Sequence, residues 1–159
     1  MFKRPFVCAI VVLAISLPLL AQAPEPYGTP INVEMAKRAA AAAIAEAKKN
    51  NFTMAIAIVD PNGTLVYFEK MDNTQNGSAA IAVDKAKSAA LFKRPTKAFQ
   101  DALAAGGEGL RILALQGAVP VDGGLPIISA GKVIGAIGAS GGTSAQDGVV
   151  AKAGTDAVK

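Results

Sequence analysis

The chain is 159 residues long, with 16 Lys and Arg against 12 Asp and Glu, a formal net charge of +4, no histidine, no tryptophan and one cysteine, Cys8. Those counts exclude an internal disulfide, zinc held by His or by several Cys, and Ser-His-Asp catalysis. The positive excess is too small, and the stacking aromatics too few, for a nucleic-acid footprint.

Lys3 and Arg4, the apolar run Phe6 to Leu20 and the small-x-small sequence Ala21-Gln22-Ala23 follow one another in the order of a cleavable signal peptide, assigned to residues 1–23. The run is shorter than the roughly 20 apolar residues a membrane span needs, and Ser16 and Pro18 interrupt it. A periplasmic or secreted protein is expected, without membrane contact after cleavage, and Cys8 leaves with the leader. Lys3 and Arg4 carry two of the net charges, so the remaining domain is only weakly basic. Residues 24–32, with PEPYGTP at their start, read as a linker, and residues 33–159 as one domain.

The first predicted helix runs from Val33 to Asn50 with Asn32 as N-cap, its apolar face mostly alanine. Met54 to Val59 reads as a strand buried on both faces. Asp60-Pro61-Asn62-Gly63 supplies a tight turn, and Thr64 to Met71 returns as the second strand of a hairpin. After the polar loop Asp72–Gly77, Ser78 is assigned as cap of a helix reaching Phe92, with Ile81, Ala82, Lys85, Ala86 and Ala89 on one stripe. Phe92-Lys93-Arg94-Pro95 breaks the chain. Thr96 to Ala105 forms a third helix, for which Thr96 is a good N-cap, and Leu110 to Leu115 a helical turn. Leu125–Ser129 and Lys132–Ser140 make a second hairpin around Ala130-Gly131. A last helix spans Ser144 to Val158, with Ser144 and Asp147 in capping-box spacing. Two hairpins separated by helices predict an α+β domain with a largely antiparallel sheet.

Little in this pattern names a chemistry. Gly135 to Gly142 has the spacing GxxGxxGG, not the GxGxxG of a dinucleotide site, and Gly131-Lys132 lacks the Ser/Thr and first glycine of a P-loop. The start of the last helix offers N–H groups to a small anion, unless Ser144 and Asp147 already take them. Lys85, Lys87, Lys93, Arg94 and Lys97 form the one basic cluster, either a solvated face or, through Lys85 or Arg94, a partner for an anionic ligand.

The segments NNFTMAIAIVDPNGTLVYFEKMD, VDKAKSAALFKRPTKAF, GGLPIISAGKVIGAIGASGG and AQDGVVAKAG resemble the GlcG/HbpS family, also called the haem-degrading family, in order and spacing from Val33 to Val158. The resemblance implies a profilin/PAS-like α/β sandwich, its sheet covered by helices, and a homo-oligomer. Some secreted members of the family bind haem and take part in its degradation or in redox sensing; others accompany glycolate oxidation or cobalamin-related functions. In a secreted haem-binding member the iron ligand is a threonine of the Pro-Thr segment, and the matching residue is Thr96 in Arg94-Pro95-Thr96-Lys97. A histidine-ligated member has no counterpart here, since the chain has no histidine.

The resulting expectation is an exported small-molecule binder with haem as cofactor. Thr96 would face the iron, Arg94 and Lys85 would meet the propionates, and the glycine-rich hairpin would form a wall. Met54, Met71, Phe92 and Phe99 would add apolar surface. A neutral threonine is a weak iron ligand beside imidazole or thiolate, so affinity would rest on apolar enclosure. Two alternatives stay open. One is an enzyme or accessory factor acting on a small carboxylic acid, with Lys85, Asp147 and Glu108 as the acid-base candidates. The other is a sensory or assembly module with a sensor-protein partner.

Overall fold

The computed structural model describes residues 25–159, so the leader assigned to residues 1–23 lies outside the described residues. Helix α1 (Val33–Lys49) precedes the hairpin β1 (Ala55–Val59) and β2 (Leu65–Lys70). Helices α2 (Gly77–Phe92) and α3 (Thr96–Ala104) and a 3-10 segment (Gly107–Ala114) follow. The hairpin β3 (Gly124–Ser129) and β4 (Lys132–Ser140) and helix α4 (Ser144–Asp156) complete the order. The four strands form one antiparallel sheet in the order β2-β1-β4-β3. This is the α+β sandwich that the alternation of hairpins and helices predicts.

Strand periodicity divides the core in two. Ile56, Ile58, Ile137 and Ala139 point to the face covered by α1 and α4, joined by Met54 and Val150. Ala55, Ala57, Val59 and Ala136 point to the opposite face, where α2 lays Ala82, Ala86, Ala89 and Ala90 on them. Small residues on both partners let α2 approach β4 closely: a Cβ on Gly138 would overlap the Ala82 carbonyl. Gly138 therefore serves helix-on-sheet packing, while a Cβ on Gly135 would meet the Val59 carbonyl and Ile31, so both β4 glycines face packed interior.

Local signals explain most ends. Asn32 Oδ1 accepts the Met35 N–H at 2.9 Å, and Asn51 ends α1 in the left-handed region at φ 57°. In the first turn Asp60 Oδ1 accepts the N–H groups of Asn62 and Thr64, and Gly63 alone needs a positive φ, 82°.

Four expectations change. Residues 24–32 are no free tether where described, because Gly28 and Ile31 donate to the carbonyls of Val133 and Ile134, and Ile31 is core. The α2 boundary falls at Asn76, while Ser78 is buried toward the sheet with its hydroxyl unpaired. Ile81 is 42% exposed, off the buried stripe. The capping box of α4 is Thr143 with Gln146, one residue earlier than Ser144 with Asp147, which leaves the Asp147 carboxylate free for another partner.

Candidate functional site

Where α2 meets α3 the chain turns sharply for two reasons. Lys93 closes α2 in the left-handed conformation at φ 52°. Pro95, at φ −56° and ψ 140°, holds the backbone extended and disfavours helix at Arg94, so α3 restarts in a new direction. The N-cap of α3 is Pro95 and not Thr96.

Thr96 instead faces inward. It is fully buried, and its hydroxyl accepts the Gly124 N–H at 2.9 Å, fastening α3 to the start of β3. Gly124 must be glycine because a Cβ would overlap the Lys85 carbonyl and stand 2.5 Å from Thr96 Cγ2. Gly123, at φ 116°, passes directly over the Lys85 ammonium, where a Cβ would lie 2.9 Å from Nζ.

Beneath these glycines lies a buried ion pair. Lys85 is 1% exposed and Asp147 3%. Nζ donates to Asp147 Oδ2 at 2.7 Å and to the Ala139 carbonyl at 3.2 Å, while Asp147 Oδ1 accepts the Gly142 N–H at 3.0 Å. Burial pushes the Asp147 carboxyl above its ordinary value; the Lys85 ammonium and the N–H groups of Gly142 and Gly141 oppose that rise. Two of the acid-base candidates thus meet from distant segments. The third, Glu108, stays on the surface in an ion pair with Arg111. The Lys85 ammonium, expected at a propionate, is in this conformation committed in the interior to Asp147 and the Ala139 carbonyl. Thr96 likewise presents no hydroxyl to solvent in this conformation.

Two grooves flank α3. One, of about 290 Å³, lies between α3 and the 3-10 segment and is lined by Arg94, Ala98, Phe99, Ala102, Arg111, Ile112 and Leu115. The 3-10 segment approaches so closely that a Cβ on Gly109 would overlap the Ala102 carbonyl. The Arg94 guanidinium sits 5.6 Å from the Phe99 ring centroid, and Phe92 meets Phe99 edge-on at 5.3 Å. The other groove, of about 470 Å³, runs along Pro95, Leu125, Ala145 and Val149, with Lys97 and Lys152 at its edge. Those lysines are paired with Asp101 and Asp156. Met54 is core and Met71 packs against it, so only Phe92 and Phe99 of the four expected apolar contributors border this region.

Sequence reasoning missed Arg111. Its signal was a lone cation among Leu110, Ile112 and Leu113 in a segment too short for a periodicity argument. Among the described residues no group of three His, Cys, Asp or Glu is placed to hold a metal ion, and no helix is long and apolar enough to cross a membrane.

A family model described as "Haem degrading protein HbpS-like" matches residues 31–156. The chain belongs to the HbpS-like family. Protein GlcG of Escherichia coli is 37% identical over 110 residues, which cover 69% of this chain and 81% of GlcG. The crystal structure of a double mutant of Streptomyces reticuli HbpS superposes with a TM-score of 0.76 at 26% identity, covering 96% of this chain and 99% of that one. The crystal structure of the PduOC:haem complex gives a TM-score of 0.74 at 27% identity, over 82% of this chain and 96% of its own. The HbpS-like fold is therefore shared across nearly the whole described domain, and one similar structure is a haem complex.

Proposed function

We propose that this HbpS-like protein is an exported binder of an amphipathic, carboxylate-bearing small molecule, with haem as the ligand. The supporting observation is the groove between α3 and the 3-10 segment, apolar along Phe99, Ile112 and Leu115 and edged by two guanidinium groups. That chemistry fits a flat apolar ring system with two carboxylates. Arg94 and Arg111 would hold the propionates in bidentate fashion, and Phe99 would lie against the ring. Haem, when bound, supplies the redox chemistry of its iron. The side chains lining the groove bind, orient and exclude water; none is an established axial ligand. Thr96 keeps its place in the reading as the residue matching a family ligand, yet its hydroxyl would have to leave the Gly124 N–H to reach iron.

Hemin titration into the purified domain tests this. An Arg94→Ala, Arg111→Ala double variant is expected to weaken binding about tenfold or more, since a hydrogen bond to a charged group contributes roughly 1.5–3 kcal/mol net. Unchanged affinity in that variant would remove the groove from the site. Thr96→Ser, which retains the hydroxyl, should keep the wild-type absorption spectrum.

The buried Lys85–Asp147 pair favours a second reading, turnover of a small hydroxy acid. It requires the Gly123-Gly124 strap to lift. Activity toward such acids that vanishes in Lys85→Met without loss of fold would support it. Leu110 and Leu113, 53% and 72% exposed on the 3-10 segment, suit the expected homo-oligomer, which sedimentation would measure.

A further inference from the structure

Two Asn-Gly pairs occur in the sequence, Asn62-Gly63 and Asn76-Gly77, and the fold treats them in opposite ways. At an Asn-Gly bond the backbone nitrogen of glycine can attack the neighbouring asparagine amide, because no Cβ blocks the approach and the backbone is free to turn. Between β1 and β2 that freedom is removed. Asn62 and Thr64 donate to Asp60 Oδ1 at 2.8 Å, Gly63 donates to the Asp60 carbonyl at 3.0 Å, and Gly63 is buried against Lys87 and Leu91.

At the start of α2 the constraint is weaker: Asn76 is helical (φ −64°, ψ −38°) and its carbonyl accepts the Ala79 N–H at 3.3 Å, but the glycine nitrogen that attacks is itself unheld. The Gly77 N–H has no acceptor among the described residues, and beyond its chain neighbours and its own helix backbone nothing lies within 4 Å of the point where its Cβ would stand. Asn76 and Gly77 are both exposed, and the Asn76 amide makes no capping bond. Its Oδ1 instead accepts from Lys70 Nζ at 3.1 Å. An ammonium in that position polarises the amide carbon and stands where negative charge develops during addition.

We propose that Asn76 is a self-modification site, converted to aspartate and isoaspartate by attack of the Gly77 nitrogen. The nitrogen forms a bond to Cγ of Asn76 and gives its proton to a solvent base. Nδ2 takes a proton from solvent, the bond between Cγ and Nδ2 breaks, and ammonia leaves as the Cγ carbonyl re-forms. Water opens the resulting five-membered imide at either carbonyl, with no oxidation or reduction. Aspartate places a carboxylate beside Lys70 and at the positive end of α2, whose first turn has no acidic residue. Isoaspartate lengthens the backbone there and displaces the first turn of the helix that carries Lys85.

The test is a time course of the intact folded protein in mildly alkaline buffer, read by peptide mapping that separates the amide, aspartate and isoaspartate forms at both sites. Folded protein is expected to convert at Asn76 about three- to tenfold faster than at Asn62, the population cost of opening one ordinary hydrogen bond at the clamped site. The urea-unfolded protein should convert at both sites alike. Lys70→Met is expected to slow position 76 and leave position 62 unchanged, and Asn76→Asp to melt at a higher temperature than the parent. Equal rates at the two sites in the folded protein, or no conversion at Asn76 while the unfolded protein converts, would overturn the proposal.

Discussion

Replacing Lys85 by methionine isolates the most consequential interaction in the interior. The ammonium is 1% exposed and lies 2.7 Å from an Asp147 carboxylate that is itself 3% exposed. Methionine fills similar space but leaves Asp147 buried with only the N–H groups of Gly142 and Gly141 for compensation. Breaking one side of such a pair costs about 3–5 kcal/mol, a large part of the roughly 5–15 kcal/mol that holds a domain of this size together. Removing both charges, as Lys85→Met with Asp147→Asn, should recover most of that loss. The cost also depends on pH with a defined sign. The folded-state pKa of Asp147 is already raised above 3.8 by burial, and loss of the cation raises it further. Between the raised folded-state value and the unfolded value the variant's folded state then binds a proton that the unfolded state does not. Its stability must therefore rise as the pH falls through that window. Urea unfolding of the four proteins of the cycle at neutral pH and near pH 5 measures both effects. A single-variant cost below about 1 kcal/mol at neutral pH, or one that does not shrink on acidification, would refute the argument.

Three further outcomes follow from named contacts. Thr96→Val keeps the shape but leaves the Gly124 N–H without its acceptor, an expected loss of about 1–3 kcal/mol in denaturant unfolding that Thr96→Ser avoids. Gly138→Ala drives a methyl into the Ala82 carbonyl where α2 lies on β4, so a destabilisation of about 1–3 kcal/mol or more is expected by thermal melting. The hemin affinity of wild-type protein should fall with added salt and that dependence should flatten in the Arg94→Ala, Arg111→Ala variant, because screening acts on exposed charges.

The sequence made the scaffold legible wherever a signal was local. Asp60 to Gly63 fixed one hairpin by turn chemistry, and Ala130-Gly131, with φ 48° and 68°, fixed the other. Met54 to Val59 reads as a strand buried on both faces and the alanine face of α1 as a close-packing one, and both lie in the core. Errors fell where a short polar side chain had two uses. Ser78 and Thr96 both suit a helix start, yet each turns inward, and Thr96 finds a backbone partner 28 residues away. Lys85 lay on a stripe with Ile81, Ala82, Ala86 and Ala89, but its charge read as a solvated face or a partner for an anionic ligand, whereas it is buried. Its counterion lies 62 residues further along, and no window of sequence carries that pairing. Arg111 escaped notice because only the tertiary fold brings it to the same groove as Arg94.

The interior polar contacts and the exposed groove are mechanically one arrangement. Arg94 has its position because Pro95 sets the elbow and Thr96, two residues on, fastens α3 to Gly124. Gly124 in turn rests on the Lys85 carbonyl, and Gly123 spans the Lys85–Asp147 pair. The floor that sets the height of α3 is therefore the same ion pair that joins α2 to α4. A substitution at Lys85 would shift Arg94 and Phe99 without touching a bound ligand. Such variants should weaken hemin binding in proportion to their lost stability, whereas Arg94→Ala and Arg111→Ala should weaken it with the fold intact. Measuring affinity and unfolding on the same samples separates a residue that contacts the ligand from one that holds the contacting residue in place.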